Sequence, residues 1–201
     1  MGAVLAFARP SVLRASPAPL SLPALAGRLC EVSGAAACIS VSMQWVLEAQ
    51  LGGELAAWVQ VGPSGFFPPD VAATGVDLGA FPIASVASPI QAARAAEQLL
   101  RSGGFALVVI DTVGSPAGGW QMAVQSRLLG LAQKHSSAVV FLNDKRAEEP
   151  SLGSLVSLRL HTRQQKREGD RFVVECEVLK DKRLGPGATV QQVFLGPAGV
   201  G

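Results

Sequence analysis

The chain reads as an α/β protein built on a central, mostly parallel sheet flanked by helices, with an antiparallel edge at its C-terminal end. Three observations predict this. Residues 105–112 (FALVVIDT) and 138–142 (AVVFL) are apolar at successive positions, as strands buried on both faces of a parallel sheet are. The segments before and between them carry apolar residues at helical spacing. Beyond residue 150 the pattern changes. There 155–161 (LVSLRLH) and 171–179 (RFVVECEVL) alternate apolar with polar residues, the pattern of half-exposed antiparallel strands.

Taken in order, Leu29, Cys30 and Val32 form a first strand that runs into Gly34, followed by an amphipathic helix expected over 41–51. Residues 56–61, with Trp58 and Val59, make the second strand. It leads into the loop GPSGFFPPD, whose Phe66 and Phe67 are bracketed by turn residues. They serve either as an exposed interface anchor or as an inward plug. Ser88 and Pro89 supply an N-cap and a first-turn proline for a helix to Leu100, with Ile90, Ala93, Ala96 and Leu100 on one face and Gly103 as its stop. A further helix is expected over 120–134, and Trp45 and Trp120 are expected in the core. The alternating strands 155–161 and 171–179 are expected to form a hairpin joined by QQKREGD, with 189–195 as a last strand.

Composition narrows the classes. A chain of 201 residues, 49% apolar and 16% charged, buries enough surface for one core, and its net charge of +2 does not by itself imply nucleic-acid binding. Cys30, Cys38 and Cys176 have no metal-like spacing, and His135 and His161 stand alone. No metal site is expected, and the thiols fit a reduced, cytoplasmic protein. The opening MGAVLAFARP is interrupted by Arg9 and Pro10, which argues against a signal peptide or membrane span. Residues 1–26, with four prolines and no acid, read as a proline-rich basic arm ahead of a core domain over 27–201. That arm is either an unstructured leader or, through Val12, Leu13, Leu20, Leu22 and Leu25, a segment packing on its own domain or a neighbour.

The sequence GRLCEVSGAAACISVS has the strand, glycine and helix order of a phosphate-binding loop, G-x-x-x-x-G-K-[ST]. Counted from Gly34, the second glycine falls on Ile39, the lysine on Ser40 and the hydroxyl residue on Val41. Glycine lets the backbone wrap phosphate, lysine carries charge to it, and the hydroxyl ligates magnesium. None of the three is present, so the loop is read as degenerate and no nucleotide cofactor is expected.

From about residue 27 onward the chain resembles the ATPase core of the RecA recombinases. GRLCEVSG is similar to the strand entering that family's phosphate loop, VVIDT to its Walker B strand, and FLNDKR to the strand bearing its nucleotide sensor; the closing hairpin and KDKR also match in place. Within the superfamily, the missing loop chemistry, compact length and basic arm most resemble the ImuA family of bacterial SOS mutagenesis cassettes. The resemblance implies a Walker B acid at Asp111 and the sensor position at Asp144. It puts Pro63 where the family's water-activating glutamate stands, and proline offers no base. Asp111 has an alternative reading, as an acid that satisfies a loop at a strand end. The resemblance implies a catalytically inactive accessory protein of translesion synthesis, with RecA, ImuB and the associated error-prone polymerase as partners. Alternatives are an active recombinase-type ATPase and a SulA-like cell-division inhibitor.

The resemblance also locates two DNA loops, over 114–120 and 145–154. Adjacent Glu148 and Glu149 in the second would repel a phosphate backbone. Ten of the seventeen Lys and Arg residues fall between Lys145 and Arg183. Arg163, Lys166, Arg167 and Arg171 on the hairpin are therefore candidates for DNA contact, although solvated edge strands also carry such residues.

Overall fold

The computed structural model describes residues 20–63, 71–72, 74–115, 120–168 and 171–195. Its elements are α1 (Leu22–Leu25), β1 (Arg28–Ser33), α2 (Ala35–Leu51), β2 (Leu55–Val61), β3 (Ile83–Val86), α3 (Pro89–Ser102), β4 (Phe105–Asp111), α4 (Met122–His135), β5 (Ala138–Asn143), β6 (Leu158–Glu168), β7 (Arg171–Asp181) and β8 (Thr189–Leu195). One eight-stranded sheet holds them in the order β3-β2-β4-β5-β1-β6-β7-β8. The first six run parallel and the last two are added antiparallel. This is a RecA-like core, with the antiparallel C-terminal edge that the alternating pattern predicts.

The sheet is covered on both faces. Cys30, Val32, Trp58, Val109 and Val140 pack under α2, whose Val41, Trp45 and Val46 join the same cluster. Their strand neighbours Leu29, Val59, Val108, Val139 and Phe141 pack under α3 and α4 with Ala96, Leu100 and Leu128. Because successive strand residues face opposite ways, β1 and β5, in the middle, are buried at every position. Trp120 meets Phe141 edge-on at 4.8 Å, and both Trp45 and Trp120 are buried, as expected. The Ser88 cap and the Gly103 stop of α3 also stand where the sequence places them.

Four elements depart from expectation. The strand β3 and the turn α1 are additional, both too short to show a period. Segment QQKREGD is mostly strand, because β6 continues to Glu168, which pairs with Arg171. The segment's first residues Gln164 and Gln165 are exposed, and polar residues there mark strand and not a turn. Helix α2 begins at Ala35, six residues before the predicted start, with consequences for the site. None of the described helices is long and apolar enough to cross a membrane.

Candidate functional site

In open α/β sheets, ligands sit outside the C-terminal ends of the parallel strands, so the ends of β1, β2, β4 and β5 define the site. Strand β1 ends at Ser33 and α2 starts at Ala35, leaving Gly34 alone between them. Gly34 adopts φ 117°, and a Cβ there would lie 2.0 Å from the Thr162 carbonyl oxygen. Strand β6 presses directly on this junction. The Thr162 hydroxyl donates to the Ser33 carbonyl at 2.8 Å, while Ser33 Oγ donates to the Leu160 carbonyl and lies 3.0 Å from His161 Nδ1.

At the position of the degenerate motif, the strand passes through a single glycine into the helix. Ile39, Ser40 and Val41 lie in the second turn of α2, where Val41 is fully buried in the core and Ile39 packs against it. Residues 35–37 are all alanine, the strongest helix former, and no second glycine opposes helix formation. Wrapping a phosphate requires several successive amides held out of the helix. Here no such stretch lies ahead of α2, and only its first-turn amides stay out of the helical ladder.

At the end of β4, Asp111 is 1% exposed and accepts from the Val113 amide at 3.0 Å. Next to it, the Thr112 amide and hydroxyl both donate to the Leu142 carbonyl. Asp111 thus closes its own strand-end loop. Burial, and secondarily the Asp111 charge, push the Cys38 thiol on α2 far up. Pro63 is exposed just past β2. Behind it, Ser115 Oγ donates to the Val61 carbonyl at 2.7 Å.

The end of β5 holds the group that sequence reasoning missed. Glu31, in the middle of β1, is completely buried and accepts hydrogen bonds from Asn143 Nδ2 (3.2 Å), Ser151 Oγ (2.8 Å) and the Leu152 amide (2.9 Å). Lys145 Nζ lies 3.5 Å and Arg159 Nε 3.8 Å from its carboxylate. Arg159 also donates to the carbonyls of Arg146 and Glu149, and Lys145 to that of Pro150. Segment 145–154, placed by the resemblance at a DNA loop, is thereby tied to the core by two inward-turned cations. The terminal amide of β5 is Asn143, whereas the expected sensor residue Asp144 is exposed beside it. A lone acid inside the apolar run LCEVS was the available signal for Glu31.

Between these elements lies a cleft of about 350 Å³, lined by Gly34, Asp144, Arg146, His161, Arg163 and Gln164 among others. Its charge is largely compensated. Arg146 pairs with Glu149 at 3.6 Å, and Arg163 stands opposite Glu175 in the hairpin register. Burial, reinforced by Arg163, lowers the His161 pKa, so the ring is neutral near neutrality. Among the described residues no three His, Cys, Asp or Glu side chains converge as metal ligands do.

The remaining candidates are scattered. Leu20 and Leu25 are buried in the chain's own core and Leu22 packs on it. Trp45 Nε1 donates to the Leu20 carbonyl, the Leu22 amide donates to Glu48, and Arg183 reaches the carbonyls of Ala24 and Ala26. Of the two arm readings, own-domain packing describes 20–26, which removes these three leucines as free anchors. Val12, Leu13, Phe66 and Phe67 lie outside the described residues. Arg163 and Arg171 are exposed on β6 and β7. Lys166 and Arg167 belong to β6, opposite Val173 and Phe172, and their side chains are outside the described set. Lys182 and Arg183 of KDKR bind backbone carbonyls of this chain.

No family model matches the chain. Two sequences named Protein RecA from Borrelia hermsii, one of them from strain HS1 / DAH, are each 27% identical to it over 139 residues, covering 60% of this chain and 39% of the relative. The chain thus matches well under half the length of these relatives. Their distant similarity, together with the sheet order, supports a RecA-like relationship.

Proposed function

We propose that this chain is a catalytically inactive RecA-like accessory protein of SOS-induced translesion synthesis and mutagenesis, ImuA-like in role and cytoplasmic. It acts through contacts with RecA, which it restrains from recombination, and with ImuB and the error-prone polymerase. One observation carries the reading. Helix α2 starts immediately after Gly34, so no loop of successive amides stands ahead of the helix to wrap a triphosphate, and only the free amides of its first turn are left. Pro63 in the glutamate position and the internally bonded Asp111 agree with it.

Head-to-tail assemblies grow through heterologous contacts, and growth stops at any subunit offering one complementary face without the next. A RecA-like subunit with no nucleotide to clamp at that boundary would cap such an assembly. Its partner-binding anchors, after removal of the buried leucines, are the loop with Phe66 and Phe67 and the segment with Val12 and Leu13, since a few apolar residues commonly dominate an interface.

The test is RecA-catalysed strand exchange with the purified full chain added. Substoichiometric protein is expected to slow exchange. Deletion of residues 1–19, which leaves the packed 20–26 segment intact, or the double change Phe66→Ala and Phe67→Ala, is expected to relieve the inhibition. Unchanged exchange at several-fold excess of the chain contradicts capping. The competing reading, an active recombinase-type ATPase, draws on the RecA similarity and requires nucleotide binding.

A further inference from the structure

The two edges of the sheet are treated differently. The β3 edge is four residues long, and shortness is one of the usual protections against edge pairing. The β8 edge spans seven residues, Thr189–Leu195, and pairs with β7 on one side. Its sequence TVQQVFL is rich in strand-forming residues, and no charged side chain occurs from Leu184 to Gly201. Charged side chains, the commonest guard on a long edge, are missing where they would be needed most.

A second observation lies at the midpoint of this strand. Val190 and Phe194 pack against the larger core cluster, so Gln192 between them shares that face. Gln192 Oε1 is buried and has no hydrogen-bond partner among the described residues. Such an acceptor is costly to leave unsatisfied. On the opposite face Val193 is 48% exposed.

We infer that β8 is a homodimer interface, in which the β8 strands of two copies pair antiparallel about a two-fold axis at Gln192. This register is self-complementary, as an isologous contact must be. It sets Gln192 against Gln192 of the second copy, with Cβ atoms about 4.5–5.5 Å apart, so that a turn of the side chain out of its buried position lets each amide donate to the other's unpartnered oxygen. It sets Val190 beside Phe194 on the core face and Gln191 beside Val193 on the other. No like charges meet. The inference is independent of the proposed role in mutagenesis.

The axis makes the experiment specific. In an antiparallel pair, directly opposed Cα atoms are separated by about 4.5–5.5 Å, within disulfide range, whereas diagonal neighbours are beyond it. The native thiols Cys30, Cys38 and Cys176 are all buried and do not compete. Under mild oxidation Gln192→Cys is expected to give a covalent dimer of twice 20.7 kDa, while Gln191→Cys, one residue off the axis, remains uncrosslinked. Sedimentation of the unmodified chain at tens of micromolar should show a reversible dimer. Val193→Lys should weaken it at least tenfold while the melting temperature of the dilute, monomeric protein is retained. A monomer throughout that range overturns the inference, as does equal crosslinking of the two cysteine variants or a dimer indifferent to Val193→Lys. An edge reserved for a strand of another protein would also give a monomer here.

Discussion

Gly34 combines a left-handed backbone with a contact that leaves no room for a side chain. Gly34→Ala must shift β6 or the start of α2, and an expected loss of about 3 kcal/mol in folding stability is measurable by urea denaturation. Glu31 is the other residue on which the site depends. Glu31→Gln would leave Lys145 and Arg159 without a counter-charge inside the protein, a change that costs about 3–5 kcal/mol where a buried pair loses one partner. Gly34 was legible in the sequence because a glycine between an apolar run and a helix demands a backbone explanation. Glu31 was not. Its partners Ser151 and Arg159 are more than a hundred residues away in the chain, and a single acid in a strand does not say which cations it faces.

Among the elements, α2 and β6 decide what the strand ends can do. The sequence placed most strands and helices within a residue or two, because buried parallel strands and capped helices such as α3 have strong local signatures. Helix α2 starts earlier than the loop motif suggests, because the three alanines at 35–37 favour helix from its first turn. Strand β6 likewise runs longer than its sequence suggests, since QQKRE resembles a turn until pairing with β7 is seen. Segment 145–154 behaves as part of the core on this account. Trypsin should cleave slowly after Lys145 and Arg146 in the unmodified chain and much faster in Glu31→Gln, and equal rates would contradict the clamp. The hairpin bears a separate test. If its exposed Arg163 and Arg171 touch phosphates, binding to single-stranded DNA should weaken with salt, by a slope of about 0.7 per contact, and charge removal should flatten it. Binding without salt dependence returns the hairpin to a solvated ribbon.

Strand ends on opposite sides of β6 are also joined. Arg28 at the start of β1 pairs with Asp181 at the end of β7 at 2.7 Å, both nearly fully buried. Burial works to raise the Asp181 carboxyl, but hydrogen bonds from the Arg183 amide and the Arg28 guanidinium outweigh it and hold the pKa below the usual carboxylate range. The sign follows from the lowered value. The pair contributes fully above about pH 4, the ordinary aspartate value, and its contribution is lost as pH falls through the depressed one. Asp181→Asn should therefore be less stable than the unmodified chain at neutral pH, with the gap in urea midpoint closing in acid.

At the scale of the whole molecule, the sheet order, the two covered faces and the antiparallel edge make a RecA-like core, and most of that was readable from apolar runs and their order. What the sequence could not supply was the fit at the ends of the strands. The packing of β6 on Gly34 and the tethering of 145–154 to Glu31 depend on which strands become neighbours. The central claim is that this fold has given up triphosphate binding because the loop has become helix. Calorimetric titration of the full chain with magnesium and ATP tests it most directly. The account predicts no measurable heat of binding at physiological nucleotide concentrations, and a dissociation constant in the low micromolar range would contradict it.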